Sequence, residues 1–167
     1  MDLFNSILLG ALQGITEFLP ISSSGHLIIA EHLLGENEDI FLFNICVHLG
    51  TLFAIIYYYI NDIKSLWKGI LLKKKGSYTY ILFILIATLP VAFYGIVFND
   101  EIKGIKDIES VSYLLLITGV IVFLSKFAKN REIKLNYLDI ILIGCCQAVA
   151  ILPGISRSGM TITAALL

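Results

Sequence analysis

Charged residues are scarce in this sequence. Asp, Glu, Lys and Arg make up 15% of its 167 residues, and the mean hydropathy is +0.87. A soluble globular domain carries about a quarter charged residues. The net charge of −1 excludes a broad basic surface for nucleic acid. The three cysteines, at positions 46, 145 and 146, lack the spacing of a metal site or redox motif. These absences favour an integral membrane protein whose main solvent is lipid.

Long apolar runs predict an all-α, polytopic membrane bundle. A spanning helix needs about 20 apolar residues, and three runs come close to or reach that length: 40–60, 78–98 and 110–125. We expect Pro90 to break the second of them. Two further apolar runs, 3–16 and 140–156, lead into Pro, Gly and Ser residues. Broken backbone at membrane depth must be buried in protein or line a wet cavity, so these runs predict two re-entrant, broken-helix segments.

Loop charges predict the orientation. Residues 61–77 carry five lysines and 126–136 carry four basic residues. Residues 31–39 carry no basic residue other than His32, and 99–109 carry four acids with two lysines. The positive-inside rule then places 61–77 and 126–136 in the cytoplasm and the other two loops outside. The sequence therefore predicts a multi-pass protein with a defined direction in the membrane.

Two charges stand apart from the loops. Eleven of the twelve basic residues lie in loops, and Arg157 is the exception. Glu17 is the acid that loop positions explain least. An ionisable group inside a membrane is a functional candidate because its insertion costs about 2.5–3.5 kcal/mol. A structural ion pair between Glu17 and Arg157 is the alternative interpretation.

The two broken segments resemble each other. Residues 10–25, shifted by 134 positions, fall on 144–159, and both copies end in S-x-S-G. Three spans separate the copies, which predicts opposite orientations and hence inverted repeats. We expect one integral membrane domain over 1–167, with repeat one over about 1–98 and the start of repeat two over about 111–167. Chance similarity of apolar Gly/Ser segments is the alternative.

The broken segments carry the chemistry of an anion site. Freed backbone N–H groups, serine hydroxyls and a following helix N-terminus bind anions, and a guanidinium suits phosphate oxygens. Glu17 is a candidate cation ligand or acid/base, His26 a proton shuttle or nucleophile, and Ser23 a nucleophile. The alternatives are that His26 caps a helix and that the serines are caps or interhelical contacts. His48 is interpreted as a packing or interhelical hydrogen-bonding residue.

At these residues the sequence resembles the undecaprenyl-diphosphate phosphatase (bacitracin-resistance) family of bacterial inner membranes. The motifs are LQGITEFLPISSSGH at 12–26 and LPGISRSG at 152–159. The resemblance implies removal of the terminal phosphate of a polyprenyl diphosphate lipid, which recycles the carrier for peptidoglycan synthesis, and bacitracin resistance. It also implies a divalent cation, Mg²⁺ or Ca²⁺, with Glu17 as its ligand, and a site that opens to the extracytoplasmic side.

By motif position the resemblance implies a specific set of site residues. The catalytic residues are expected to be Glu17, Ser23, His26 and Arg157. The substrate-binding residues are expected to be Gln13, Ser22, Ser24, Gly25, Ser156, Ser158 and Gly159. Gln13 stands where some members of the family have Glu.

Two other functions compete with this interpretation. A transporter or flippase of a phosphorylated lipid would use the same inverted repeats and anion site. The lipid-phosphatase superfamily shares a P-S-G-H motif, but its lysine-arginine motif and later histidine-aspartate pair are absent from this sequence. The expected partners are the lipid substrate and membrane lipids, without nucleic acid, and a homo-oligomer is compatible with the sequence. Family members are longer, so we expect a sequence truncated at its C-terminus.

Overall fold

Helices form all the regular structure that is described. The structure is a computed structural model that describes residues 1–36, 40–98, 102, 104–105, 107–128 and 136–166. Within these ranges it contains eight α-helices and a 3-10 turn (Ser125–Phe127), and no β-strand. The helices are α1 (Leu3–Thr16), α2 (Ser23–Leu33), α3 (Phe41–Tyr58), α4 (Ile60–Leu71), α5 (Lys75–Val97), α6 (Ile108–Leu124), α7 (Tyr137–Val149) and α8 (Arg157–Leu166). The predicted all-α fold class is confirmed.

Three helices are long and apolar enough to cross a membrane. They are Phe41–Tyr58, Lys75–Val97 and Ile108–Phe127, and they correspond to the three predicted spans. The two shorter apolar helices, α1 and α7, each begin one of the predicted broken segments. The chain is thus a multi-pass membrane protein built as a helical bundle.

The expected break at Pro90 is wrong, because α5 continues through that residue to Val97. A proline inside a helix removes one hydrogen bond and crowds the preceding turn. Here the ring lies against α7: a Cβ on Gly144 would lie 3.1 Å from the Pro90 Cγ. Neighbouring helices make such prolines tolerable in membrane bundles. Gly144 on α7 therefore leaves room for the Pro90 ring, and α5 continues unbroken through the proline.

Side-chain caps fix where several helices begin. Asp2 caps α1 by accepting from the Asn5 N–H, and Asn136 forms a reciprocal capping box with Asp139 at the start of α7. Asp107 caps α6 by accepting from the Ser110 N–H, and this hydrogen bond lowers the pKa of its carboxyl group. Each broken segment then folds as a helix hairpin, α1 with α2 and α7 with α8.

Helix α6 supports both hairpins. Helices α2 and α8, the second helices of the two hairpins, both pack against it. Helix α1 packs on α3, and α7 packs on α5 in the most extensive helix contact described. These contacts bring the ends of the two broken segments to one place in the bundle.

Several predicted loops lie partly outside the described residues. The positions concerned are 37–39 in the first acidic loop, 99–101, 103 and 106 in the second, 129–135 in the second basic loop, and Leu167. The orientation that the loop charges predict stays a prediction.

The α5–α7 contact gives a test of packing. A Cβ on Gly144 would lie 2.8 Å from the Ala87 carbonyl oxygen, which is backbone and cannot rotate away. We expect Gly144→Ala to destabilise the protein by about 1–3 kcal/mol through overpacking, despite the better helix propensity of alanine. Gly119→Ala on α6 is the matched control, since nothing lies within 4 Å of its added Cβ. Thermal unfolding in detergent should show a lower midpoint for Gly144→Ala alone; equal midpoints would contradict the packing.

Candidate functional site

The two S-x-S-G ends form matching helix caps. Ser22 Oγ accepts from the Gly25 N–H at 3.4 Å, and Ser156 Oγ accepts from the Gly159 N–H at 3.0 Å. In each copy the hydroxyls two residues apart also interact, Ser22 with Ser24 at 3.3 Å and Ser156 with Ser158 at 3.2 Å. The serine of each motif thus satisfies a backbone donor that the broken helix leaves free. The sequence repeat is a structural repeat at these residues.

The hairpins pack on each other through their glycines. A Cβ on Gly25 would lie 2.9 Å from the Gly154 Cα, and a Cβ on Gly159 would lie 3.1 Å from the Pro20 carbonyl oxygen. Gly154 and Pro20 are themselves 134 positions apart, as Gly159 and Gly25 are. The contact between Gly25 and Gly154 is therefore repeated between Gly159 and Pro20, with the two copies exchanged. A two-fold relation requires this exchange. This reciprocity supports the predicted inverted repeats, whose orientation in the membrane stays a prediction.

A buried threonine fixes the second hairpin. The Thr118 hydroxyl on α6 donates to the Gly154 carbonyl oxygen at 2.8 Å and accepts from the Ser156 N–H at 3.0 Å. Thr118 and Ser156 are both buried. Gly154 has φ +105°, a conformation that side chains rarely adopt. One hydroxyl thus satisfies two backbone groups of the turn that precedes Arg157.

A cavity of about 530 Å³ lies between the two hairpins. Seven of the eleven sequence-predicted site residues line it: Glu17, Ser22, Ser23, Ser24, Ser156, Arg157 and Ser158. The carboxylate and the guanidinium that stood apart from the loops therefore share one cavity. The central expectation from the sequence, that these two distant charges converge, agrees with the structure.

Glu17 is the centre of a hydrogen-bonded group at the first hairpin. Its Oε2 accepts from the Ser23 hydroxyl at 2.5 Å and from the Gln13 amide at 3.1 Å. A separation of 2.5–2.7 Å is usual for a hydroxyl that donates to an ionised carboxylate. Ser22, which caps α2, has φ +67°, a strained conformation for a residue other than glycine. The turn thus presents Ser23 to a carboxylate that can accept its proton.

Arg157 is the positive group of the cavity. It is the first residue of α8, it is exposed, and it forms no ion pair with the carboxylates of the described ranges. The alternative of a structural Glu17–Arg157 pair is therefore not supported. A free guanidinium at a helix N-terminus can bind an anion with its own charge and with the helix dipole.

Four predicted site residues do not line this cavity: Gln13, Gly25, His26 and Gly159. Gln13 is fully buried and contacts the site through Glu17. The two glycines are buried where the hairpins pack on each other. The His26 Nδ1 donates to the Ser22 carbonyl oxygen at 2.8 Å, which ties the ring to the start of its own helix. Their predicted contacts with substrate stay predictions. In the structure these four residues contact the residues and turns that form the cavity, rather than the cavity itself.

His48 lines the cavity, although the sequence interpretation gives it only a packing or interhelical hydrogen-bonding role. Its side chain is exposed and lines both the main cavity and an adjoining one of about 300 Å³. Its Nδ1 lies 2.7 Å from the Asn44 carbonyl oxygen of the same helix. Because a carbonyl can only accept, Nδ1 carries the hydrogen, and Nε2 is free to interact in the cavities. The mid-span position of a histidine in an apolar helix was the signal that could have found it.

The donor atoms of the site suit a hard divalent cation. The described residues contain no cluster of three or more His, Cys, Asp or Glu side chains. Glu17 supplies one carboxylate, and the neighbouring Gln13 Oε1 is buried without a hydrogen-bond partner. Mg²⁺ commonly uses one or two carboxylates together with phosphate oxygens and water. The residues therefore fit a cation that a diphosphate would help to hold.

Comparisons with known proteins agree with these motifs. The family described as "Bacitracin resistance protein BacA" matches residues 6–167. Proteins named "Undecaprenyl-diphosphatase" from Halothermothrix orenii and Thermosipho africanus are 39% and 41% identical and match 100% and 97% of this chain. "Undecaprenyl-diphosphatase 1" of Bacillus licheniformis is 42% identical and matches 98% of the chain. The chain spans 64%, 66% and 65% of the lengths of these three relatives.

The Thr118 contacts give a test of how the site is held. Thr118→Val keeps the shape of the side chain but leaves the Gly154 carbonyl and the Ser156 N–H without their partner. We expect a loss of about 1–3 kcal/mol in the free energy of unfolding, measured by denaturation in detergent. Thr118→Ser keeps the hydroxyl and should retain most of the stability. Thr88→Val is the control, because the exposed Thr88 hydroxyl donates to a carbonyl of its own helix. An equal loss of unfolding free energy in Thr88→Val would show that the two Thr118 hydrogen bonds have no special role in stability.

Proposed function

The chain belongs to the bacitracin resistance protein BacA family, and from that premise we propose that it hydrolyses undecaprenyl diphosphate to undecaprenyl phosphate and inorganic phosphate. The product is the lipid carrier of peptidoglycan synthesis, and its recycling would confer bacitracin resistance. The relatives named undecaprenyl-diphosphatase support this proposal. Nothing among the described residues favours the alternative of a transporter or flippase.

One observation carries the proposed chemistry. The Ser23 hydroxyl lies 2.5 Å from the Glu17 carboxylate, in the same cavity as Arg157, which has no ion pair among the described residues. A nucleophile is activated when a general base lies within hydrogen-bond reach. A phosphate needs positive charge where its oxygens gain negative charge in the transition state. This arrangement provides both within one cavity.

The proposed reaction has two steps. The Ser23 Oγ attacks the terminal phosphorus as its proton passes to Glu17, the bond from phosphorus to the bridging oxygen breaks, and undecaprenyl phosphate leaves. Water then attacks the phosphoserine, which releases inorganic phosphate and restores the hydroxyl as Glu17 returns the proton. His26 was the other candidate nucleophile, but it does not line the cavity, whereas Ser23 does. Phosphoryl transfer depends mainly on positioning and charge stabilisation, which the following groups would supply.

Arg157 and the second hairpin would bind the phosphate oxygens. Arg157 presents a planar fork of donors at the N-terminus of α8, and Ser156 and Ser158 add hydroxyls beside it. The first hairpin contributes Ser22 and Ser24 from the opposite wall. A diphosphate between these walls would have its terminal phosphorus beside Ser23.

Glu17 would hold the divalent cation, Mg²⁺ or Ca²⁺, together with oxygens of the diphosphate. When bound, the cation would neutralise charge on the diphosphate. The Gln13 amide donates to Glu17 and keeps that carboxylate oriented toward Ser23.

The site would open toward the extracytoplasmic side of the bacterial inner membrane. The loop charges support this direction, because the acidic segment 31–36 lies at the C-terminal end of α2, before α3, and the lysine-rich segment 61–75 lies after α3. The diphosphate head would then enter the cavity from that side, while its chain stays in the bilayer.

The nucleophile and base can be tested by substitution. We expect Ser23→Ala and Glu17→Gln to lower kcat by about 10²–10⁴-fold, because each removes one half of the proton transfer. Arg157→Ala should lower kcat/KM by a comparable factor, and Arg157→Lys should not restore it, since lysine lacks the planar fork. The measurement is phosphate release from undecaprenyl diphosphate by purified protein in detergent, where transport cannot occur because no sealed compartment exists.

Matched controls separate chemistry from folding. Ser112→Ala and Glu109→Gln make the same chemical changes on α6, away from the cavity lining, and should retain wild-type turnover. All variants should show the wild-type unfolding midpoint to within a few degrees. Wild-type turnover by Ser23→Ala together with Glu17→Gln would refute the proposed roles.

His48 offers a test of substrate positioning. We propose that its free Nε2 contacts the diphosphate or the leaving phosphate from α3. His48→Leu should raise KM about tenfold with little change in kcat, as expected for a lost hydrogen bond to a charged group. His48→Gln, whose amide reaches a similar distance, should restore most of the affinity. An unchanged KM in His48→Leu would remove His48 from the site.

A further inference from the structure

Helix α4 differs from the three spanning helices described above because its two faces have opposite character. Its exposed apolar residues recur at every fourth position, Ile63, Trp67 and Leu71, and so form one stripe. Lys64 and Lys68 lie one position after the first two of these residues, along the edge of the same stripe. An amphipathic helix with lysines beside an apolar face is the pattern of a helix that lies in a membrane surface.

The ends of α4 fix its depth. It follows α3 after the single residue Tyr59, and the three tyrosines at 57–59 are all exposed. Exposed tyrosines at the end of a spanning helix mark the level of the lipid headgroups. At the other end, Gly69 packs so closely on Ser77 in the first turn of α5 that an added Cβ would clash with its hydroxyl. Because α5 spans the membrane from that turn, both ends of α4 lie at the same interface.

Helix α4 cannot cross the bilayer itself. Its 12 residues extend about 18 Å, whereas the hydrocarbon core is about 30 Å thick. Trp67 is nevertheless 63% exposed. An exposed Ile–Trp–Leu stripe at headgroup level buries its apolar surface only if it faces the acyl chains.

The net charge of α4 and the turn after it favours anionic lipid. Residues 60–75 carry five lysines, at 64, 68, 73, 74 and 75, and one acid, Asp62, so the net charge is +5 − 1 = +4. None of these lysines forms an ion pair in the part of the chain that the structure describes. Two of them close the helix: Lys73 has φ +52°, and the N–H groups of Lys73 and Lys74 donate to the Ile70 and Gly69 carbonyl oxygens, while Lys75 begins α5. The turn thus places three further positive charges beside the end of the stripe.

We propose that α4 is an interfacial helix that binds anionic phospholipid headgroups. The stripe Ile63–Trp67–Leu71 inserts among the acyl chains next to the headgroups, and Lys64, Lys68 and the lysines at 73–75 contact the phosphates. This surface is separate from the cavity between the hairpins, and the proposal does not depend on the reaction that the cavity supports.

Trp67 is the only tryptophan of the chain, so its fluorescence reports on α4 alone. The full chain is reconstituted into phosphatidylcholine vesicles that contain phosphatidylglycerol. A nitroxide placed near the headgroup should quench Trp67 more strongly than one placed deep in the acyl chain, and acrylamide in the water should quench it weakly. Stronger quenching by the deep nitroxide would overturn the proposal. Strong quenching by acrylamide would also overturn it, because the stripe would then face water and be open to a soluble protein.

Energy transfer from Trp67 tests the preference for anionic lipid. At equal mole fractions, dansyl-labelled phosphatidylglycerol should accept about twofold more transfer than dansyl-labelled phosphatidylcholine, because each lysine near an anionic surface contributes appreciably to its attraction. The double variant Lys64→Gln/Lys68→Gln should move this ratio toward one, while Lys126→Gln, a lysine outside α4, should leave it unchanged. If the double variant does not fold, high salt should lower the ratio for the unmodified chain. A wild-type ratio of one would overturn the proposal.

Discussion

The need to satisfy backbone groups where helices break inside an apolar solvent governs this structure. Each break exposes N–H groups that lipid cannot satisfy, and in both copies a serine at the start of the next helix accepts from the glycine three residues later. The same turn that solves this problem gathers hydroxyls and a helix N-terminus at one point. Gly25 and Gly154 have no side chains, so the two hairpins can approach closely at these residues. The two helix breaks therefore meet there. The site is therefore a consequence of how the breaks are stabilised.

The two copies differ in what they add to the shared turns and hydroxyls. The first contributes Glu17 before its turn and the hydrogen-bonded Ser23, which together suit proton transfer. The second contributes Arg157, which suits an anion, and its turn is held by Thr118. The two turns with their serine hydroxyls alone would bind a phosphate weakly from both sides. In the proposed reaction, a base with a nucleophile on one copy and a fixed cation on the other would favour cleavage over simple binding.

Composition and periodicity predicted the class of fold and the three spans, because apolar length is a strong signal. The repeat and the two isolated charges predicted the convergence at the cavity, since a charge such as Glu17 or Arg157 is costly in lipid unless it faces a polar site. The sequence misjudged Pro90, because its accommodation depends on a glycine 54 positions away on α7. It also did not place His48 at the cavity, because that depends on which face of α3 meets the cavity. Motif position alone could not separate residues that line the cavity from those that support it, such as Gln13.

The placement of α4 connects the lipid surface to this site. The lysines at 64, 68 and 73–75 oppose translocation of their segment, and α4 is packed on the first turn of α5 at Gly69. Helix α5 in turn carries α7 against it, and α7 leads directly into the turn before Arg157. A helix held at one membrane surface therefore constrains the depth of α5, and α5 constrains the hairpin that presents the guanidinium. Depth would matter for the proposed reaction because the phosphates of a lipid diphosphate lie at a fixed distance from the acyl chains, so Arg157 would have to lie at the level of the diphosphate head.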